Sequence, residues 1–237
     1  PPVPDRAPRH SPRRRSNLLA LAVLACLAER PMHPYEMATT LRTRGKHHSI
    51  KLNYGSLYSV VDSLERAVLI EREQTLRDGR RPERTIYRIT DAGRIELADW
   101  ESDLLGVPAK EYTRFEAGLS LLPVVPADEA VTLLRQRCIR LEGQLAAERG
   151  LLDACSTTGL PRLFVVELEY RARMRQAELE WARSLADEIA SGALSGVAWW
   201  RAIYDELERA AAEGREPVLE ELDWGSSALG APALDRR

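Results

Sequence analysis

The sequence predicts a mainly α chain: an N-terminal winged helix-turn-helix, made of three helices plus a two-stranded wing, followed by an all-α C-terminal region. Three observations predict it. The segment from Asn53-Tyr54-Gly55-Ser56-Leu57-Tyr58 through Ser63-Leu64 has a polar, aromatic-rich front and an aliphatic back at helical spacing, and it runs straight into a strand pattern. Two shorter helical patterns precede it and an Arg-rich hairpin follows. Beyond Pro108 the strand signals stop and long helical periodicities take over.

The first helix spans about 16–29. Leu18, Leu21, Ala22, Leu24, Ala25 and Ala28 cover more than half its surface, so it is mostly buried. Ser16 or Asn17 caps it and Pro31 stops it. The second helix spans about 34–44, with Pro34 at an early position and Gly45 at its end. The third spans about 53–67, with Leu57, Val60, Val61, Leu64 and Val68 as its buried stripe and Asn53, Tyr54, Ser56, Ser59 and Ser63 off it. Residues 69–76 and 85–89 read as paired strands around an Asp78-Gly79 turn. Thr90 caps a fourth helix that runs to about 104.

Further helices are expected at 110–122, 127–154, 161–190 and 194–213. In the 127–154 helix, Val131, Leu134, Cys138, Leu141 and Leu145 are spaced 3, 4, 3 and 4, the a/d seam of a coiled coil. That seam serves either a C-terminal dimerisation domain or an intramolecular pairing with the next helix, whose apolar side is read as Leu163, Val166, Tyr170, Met174, Ala177, Trp181 and Leu185. The domain boundaries are a disordered basic arm at 1–15, the winged domain at 16–105, a helical domain at 110–213 and a tail at 214–237.

A net charge of −2 over 237 residues conceals an asymmetry. Residues 1–100 carry 18 Lys+Arg against 12 Asp+Glu; the rest carries 16 against 24. A basic front on an acidic back suggests a polyanion-binding half and a separate regulatory half, against chance segregation of surface charge. No apolar run reaches the roughly 18–20 residues of a membrane span. Residues 18–28 follow Arg13-Arg14-Arg15 and resemble a signal peptide in outline, but Glu29-Arg30-Pro31 stands where a small-residue cleavage site belongs. Cys26, Cys138 and Cys155 are isolated, lack metal-ligand spacing and fit a reducing cytoplasm. His47-His48 lack further ligands at metal spacing. No nucleophile motif or phosphate loop is present, so neither enzyme chemistry nor a cofactor is expected.

The basic half is read as a DNA-binding surface. The major groove admits a helix and displays a distinguishable donor/acceptor code. Gly55 and Ser56 are small enough for close approach, Tyr54 and Tyr58 offer hydroxyls to phosphates, and Lys51, Asn53 and Ser59 flank them. Tyr58 as a core tyrosine and Tyr35 as an interhelical packing residue are the bland alternatives. In the wing, residues 77–84, Arg77, Arg80, Arg81 and Arg84 crowd a tight tip, which DNA would neutralise and a solvated loop would not.

These residues resemble the PadR family of bacterial transcriptional regulators. The matching pieces are His33-Pro34-Tyr35-Glu36-Met37, Gly55-Ser56-Leu57-Tyr58 with Leu64-Glu65 and Leu69-Ile70, and Tyr87-Arg88-Ile89-Thr90-Asp91-Ala92-Gly93-Arg94. Phe115-Glu116-Ala117-Gly118-Leu119 and Pro126-Ala127-Asp128-Glu129-Ala130 extend the likeness into the acidic half, so that it covers about 17–190. The resemblance implies a homodimer on an inverted-repeat operator of double-stranded DNA, C-terminal helices at the dimer interface, and a repressor released by a small molecule or by stress. It also implies that Tyr35, Ser56 and Tyr58 face the DNA backbone, and that Trp100, late on the fourth helix, lies near the place where some relatives take flat aromatic effectors. The chain departs from the family pattern at Ser59, where Pro is frequent, and at His33-Pro34, where Gly commonly precedes the tyrosine. A protein-interaction module with a winged fold, and a small-molecule binder without a DNA role, are the rival readings; the basic front half weighs against the second.

Overall fold

The computed structural model describes residues 17–76 and 84–218, which divide into two compact units between Glu111 and Tyr112. In the first unit, α1 (Leu18–Glu29) is the centre of the core. Eight of its residues are buried, including Val23 and Leu24, which are fully inaccessible. Asn17 caps it by accepting a hydrogen bond from the Leu19 amide at 3.2 Å. α2 (Pro34–Thr43) opens on His33, whose Nδ1 accepts from the Tyr35 amide (3.1 Å), and closes at Gly45, held at a φ of 70°. A single 3₁₀ turn, Lys46–His48, follows. α3 (Tyr54–Arg66) buries Leu57, Val60, Val61 and Leu64 against α1 and α2.

The end of α3 departs from expectation. Val68 is not part of the buried stripe: it is 66% exposed and has a φ of 58°. The Val68 amide donates to Glu65 O (2.8 Å) and the Leu69 amide to Leu64 O (3.0 Å). This is a Schellman ending, normally given to glycine because a Cβ disfavours the left-handed region. The reversal lets β1 (Ile70–Leu76) start at once.

β1 pairs antiparallel with β2 (Arg84–Ile89), from Ile70 opposite Ile89 to Leu76 opposite Arg84, with a bulge between Arg72 and Gln74. Met32 adds a bridge that periodicity could not reveal. Its N–H donates to Tyr87 O (3.0 Å) and its O accepts from the Tyr87 N–H (3.1 Å), so the α1–α2 connection is a one-residue third strand. α4 (Asp91–Gly106) returns across α1, with Gly93, Glu96 and Trp100 buried.

In the second unit, the helix expected over 110–122 is shorter: α5 is Arg114–Ser120, followed by a 3₁₀ turn, Leu122–Val124, where Pro123 cannot donate to a continuing helix. α6 (Ala127–Thr157) and α7 (Val166–Ser191) form an antiparallel hairpin. Its ion pairs fix the direction, running in opposite senses along the two helices: Arg135 with Asp187, Arg137 with Glu178 and Arg171 with Glu148. Arg162–Phe164 form a 3₁₀ turn rather than the first turn of α7, because the amides of Phe164 and Val165 bond back to Pro161 and Arg162.

The buried face of α7 is the second correction. Leu163, Val166, Tyr170, Met174, Ala177 and Trp181, read as its core side, are exposed. The face that meets α6 carries Leu168, Ala172, Leu179, Ala182, Ala186 and Ile189. Three of these six are alanines, which let the helix backbones approach closely but contribute little to a pattern built on large hydrophobes. α8 (Val197–Glu213) packs back on the start of α6. Trp200 is buried, and its Nε1 donates to Val125 O (2.9 Å) while the Tyr204 hydroxyl donates to Pro123 O (3.1 Å).

Candidate nucleic-acid interface

The two faces of α3 separate cleanly. Leu57 and Val61 are 1% exposed, whereas Tyr54, Gly55, Ser56, Tyr58, Ser59 and Ser63 are at the surface. Tyr54 and Tyr58 lie four residues apart and therefore one above the other on the outer face. Tyr58 is 48% exposed, so the core-tyrosine alternative fails; Tyr35 is 63% exposed. The fold brings Tyr35, first turn of α2, to Tyr54, first turn of α3, with ring centroids 6.5 Å apart and planes within 23°. Lys51 and Asn53 are exposed just before α3. The Asn53 side chain caps that helix, its Oδ1 accepting the Gly55 amide at 3.0 Å. The Ser59 hydroxyl donates to Gly55 O within the helix (3.3 Å).

Gly55 itself is not demanded by packing. A Cβ there would meet only Asn53 Oδ1 at 3.6 Å, an ordinary contact, and its φ is not left-handed. A helix that could carry a side chain at its outer first turn, and does not, presents bare backbone.

Of the wing arginines, Arg84 is the first residue of β2; Arg77, Arg80 and Arg81 lie outside the described residues, as do the arm at 1–15 and Trp224. Several other basic residues of this unit are tied down. Arg44 donates to Glu29 (2.8 Å), Arg72 to Glu65 (2.7 Å) and Arg88 to Glu71 (2.6 Å), and Arg30 pairs with Glu36. The pairing with Arg44 holds the Glu29 carboxyl below its usual range.

Sequence reasoning missed Arg42. It is exposed on the last turn of α2, and its guanidinium lies 5.0 Å from the Tyr54 ring centroid. A basic residue on the outer face of α2 was visible in the sequence, but its approach to Tyr54 depends on how α2 crosses α3.

Two further candidates are placed differently from the roles considered for them. Trp100 is 3% exposed inside the core of the first unit, and its indole N–H finds no acceptor among the described residues. The seam residues Val131, Leu134, Cys138, Leu141 and Leu145 are all buried in the core that α6 shares with α7 of the same chain, which is the intramolecular alternative. The rings of His47 and His48 lie 4.1 Å apart, tilted by 37°, in the 3₁₀ turn. Among the described residues no group of three His, Cys, Asp or Glu could hold a metal, and no helix is long and apolar enough to cross a membrane. Burial pushes the Cys26 thiol up to about 11, which keeps it unreactive.

Residues 23–99 match the model of the transcriptional regulator PadR-like family. No functionally curated protein matches by sequence. Among solved structures, PadR of Bacillus subtilis in complex with operator DNA superposes with a TM-score of 0.60 at 18% identity, over 73% of this chain and 97% of that one. The same protein in complex with p-coumaric acid gives 0.60 at 16%, over 73% and 99%. The Vibrio cholerae virulence activator AphA gives 0.56 at 19%, over 73% and 98%. At these identities the superpositions speak for a shared fold. The family match covers the helices and wing just described, and the superpositions show that the chain shares the fold of PadR-like transcriptional regulators.

Proposed function

We propose that this chain is a homodimeric repressor that binds an inverted-repeat operator, with α3 in the major groove and the wing, residues 77–84, on the flanking backbone. The observation that carries the reading is the outer face of α3: two tyrosines, three serines and an unobstructed glycine at the surface, backed by four buried aliphatic residues. Tyr35, Tyr54, Tyr58 and Ser56 contact phosphate and sugar; Lys51, Asn53 and Ser59 border them. Arg77, Arg80, Arg81 and Arg84 supply the charge that the wing brings to DNA. The like-folded B. subtilis protein was solved on operator DNA, which supports the same ligand class here.

The dimer is assigned to the helical unit. Its α6–α7 seam is filled within one chain, so the partner chain meets the outer stripe of α7, where Tyr170, Met174 and Trp181 are each about half exposed or more. Two linked half-sites convert weak single contacts into tight binding. A small aromatic effector is a further expectation, supported by the p-coumaric acid complex of the like-folded protein. Trp100, sealed in the core, is no surface for it in a single chain.

The test is fluorescence anisotropy on the duplex upstream of the chain's own gene and on a scrambled duplex, across a salt series. Tight, steeply salt-dependent binding to the first and weak binding to the second supports a sequence-specific regulator. No binding to either at low salt overturns the reading in favour of a protein-interaction module.

A further inference from the structure

We infer that Arg42 is a phosphate-binding residue of this interface, held in place by the ring of Tyr54. The inference rests on the DNA-binding reading above and adds a contact from α2 to it.

Among the described residues of the first unit, Arg30, Arg44, Arg72 and Arg88 are paired with carboxylates. Two others bond carbonyl oxygens: Arg66 to Asp62 O (3.2 Å) and Arg94 to Ala28 O (3.3 Å). Arg42 is held differently, by an aromatic face. The distinction matters chemically. A carboxylate uses up the N–H edge and cancels the charge. A ring engages the flat face, leaves the charge in place and keeps the N–H fork open to a bidentate phosphate.

The position fits. Tyr54 is the first residue of α3 and part of the Tyr35–Tyr54 stack, so its ring orders a cation from α2 beside the first turn of the recognition helix. A long side chain otherwise loses much rotamer entropy on binding. Here the ring has already restricted it, and both the ring and the guanidinium remain accessible, with Tyr54 39% exposed.

The experiment compares the full-length protein with Arg42→Ala, Arg42→Lys, Tyr54→Phe, Tyr54→Leu and Arg42→Ala/Tyr54→Leu on the upstream and scrambled duplexes over a salt series. Arg42→Ala should weaken binding about equally on both duplexes and reduce the salt slope by about one, the loss of one phosphate contact. Arg42→Lys should keep the slope with reduced affinity. Tyr54→Phe, which keeps the ring, should retain the contribution of Arg42; Tyr54→Leu should lose part of it, and the double variant should fall short of the sum of the singles. Circular dichroism melts should be unchanged for Arg42→Ala, since the side chain is exposed. If wild-type protein binds and Arg42→Ala leaves the slope unaltered, the Arg42 assignment is wrong while the DNA reading stands. If wild-type protein binds no duplex at low salt, both fall.

Discussion

The hydroxyl of Thr90 donates to the carbonyl oxygen of Val68 at 2.8 Å, joining the exit of the wing to the exit of α3. The Thr90 hydroxyl oxygen also accepts the Gly93 amide at 3.0 Å as the N-cap of α4, and the Thr90 amide donates to Leu69 O at 3.1 Å. α4 thus starts hard against the α3–β1 turn. A Cβ on Gly93 would lie 2.0 Å from Leu69 O and 2.8 Å from the Ile89 side chain. Gly93→Ala should therefore destabilise the first unit by about 1–3 kcal/mol in urea unfolding, despite the better helix propensity of alanine. Thr90→Val should cost about 1–2 kcal/mol through the lost cap, and Thr90→Ser much less. A neutral Gly93→Ala would mean that the turn and α4 are not packed this tightly.

Val68 occupies the left-handed position of the Schellman turn with a β-branched side chain that is largely exposed. Removing the Cβ relieves strain and loses little burial. Val68→Gly should raise stability by about 1 kcal/mol, read as a higher denaturant midpoint at unchanged slope.

Gly55 predicts the opposite separation of fold and function. Gly55→Ala meets no clash and gains helix propensity, so the melting temperature should hold or rise, by about 1 kcal/mol of stability at most. If bare backbone at this turn faces DNA, the added methyl group should weaken operator binding. A variant that is equally stable and binds as wild type would remove Gly55 from the interface.

The two sides of the α6–α7 hairpin should answer differently to substitution. Leu141 is buried in the core that α6 shares with α7, and Leu141→Glu puts a charge there with no partner; the helical unit should unfold rather than yield a folded monomer. If the proposed dimer forms through the outer stripe of α7, Trp181→Glu and Met174→Glu should leave helicity intact and yield monomer in light scattering. Dimers that survive both would move the interface off this face.

Glu206 carries a pH dependence of known sign. Hydrogen bonding from Arg215 (2.6 Å), then from the Val218 amide (3.1 Å), outweighs desolvation and holds its carboxyl down at about 2. Arg209 adds a contact at 2.7 Å. A depressed folded-state value means that the contribution is fully present above the ordinary carboxylate range, near 4.5, and is lost as pH falls from there toward 2. The difference in melting temperature between wild type and Glu206→Gln should thus be largest at neutral pH and shrink as the pH approaches 2. A gap independent of pH would show that Glu206 acts through packing rather than through its charge.

The sequence alone determined the order of elements and the division of α3 into an outer polar and an inner aliphatic face. Each is a short-range property: caps at Asn17 and Thr90, breakers at Pro31 and Gly45, and apolar spacing within a single helix. The α6 seam was legible for the same reason. What the tertiary structure decided depends on groups distant in sequence. It chose the alanine-rich face of α7 over the aromatic one, because close approach of two backbones is rewarded by small residues that carry no periodic signal of their own. It turned Val68 outward, because β1 must start at once. It bridged Met32 to Tyr87 and set Arg42 over Tyr54, because α2 crosses α3 where it does. Local pattern specifies which residues form an element and which face is apolar; only packing decides which of two apolar faces is buried and which distant side chains meet.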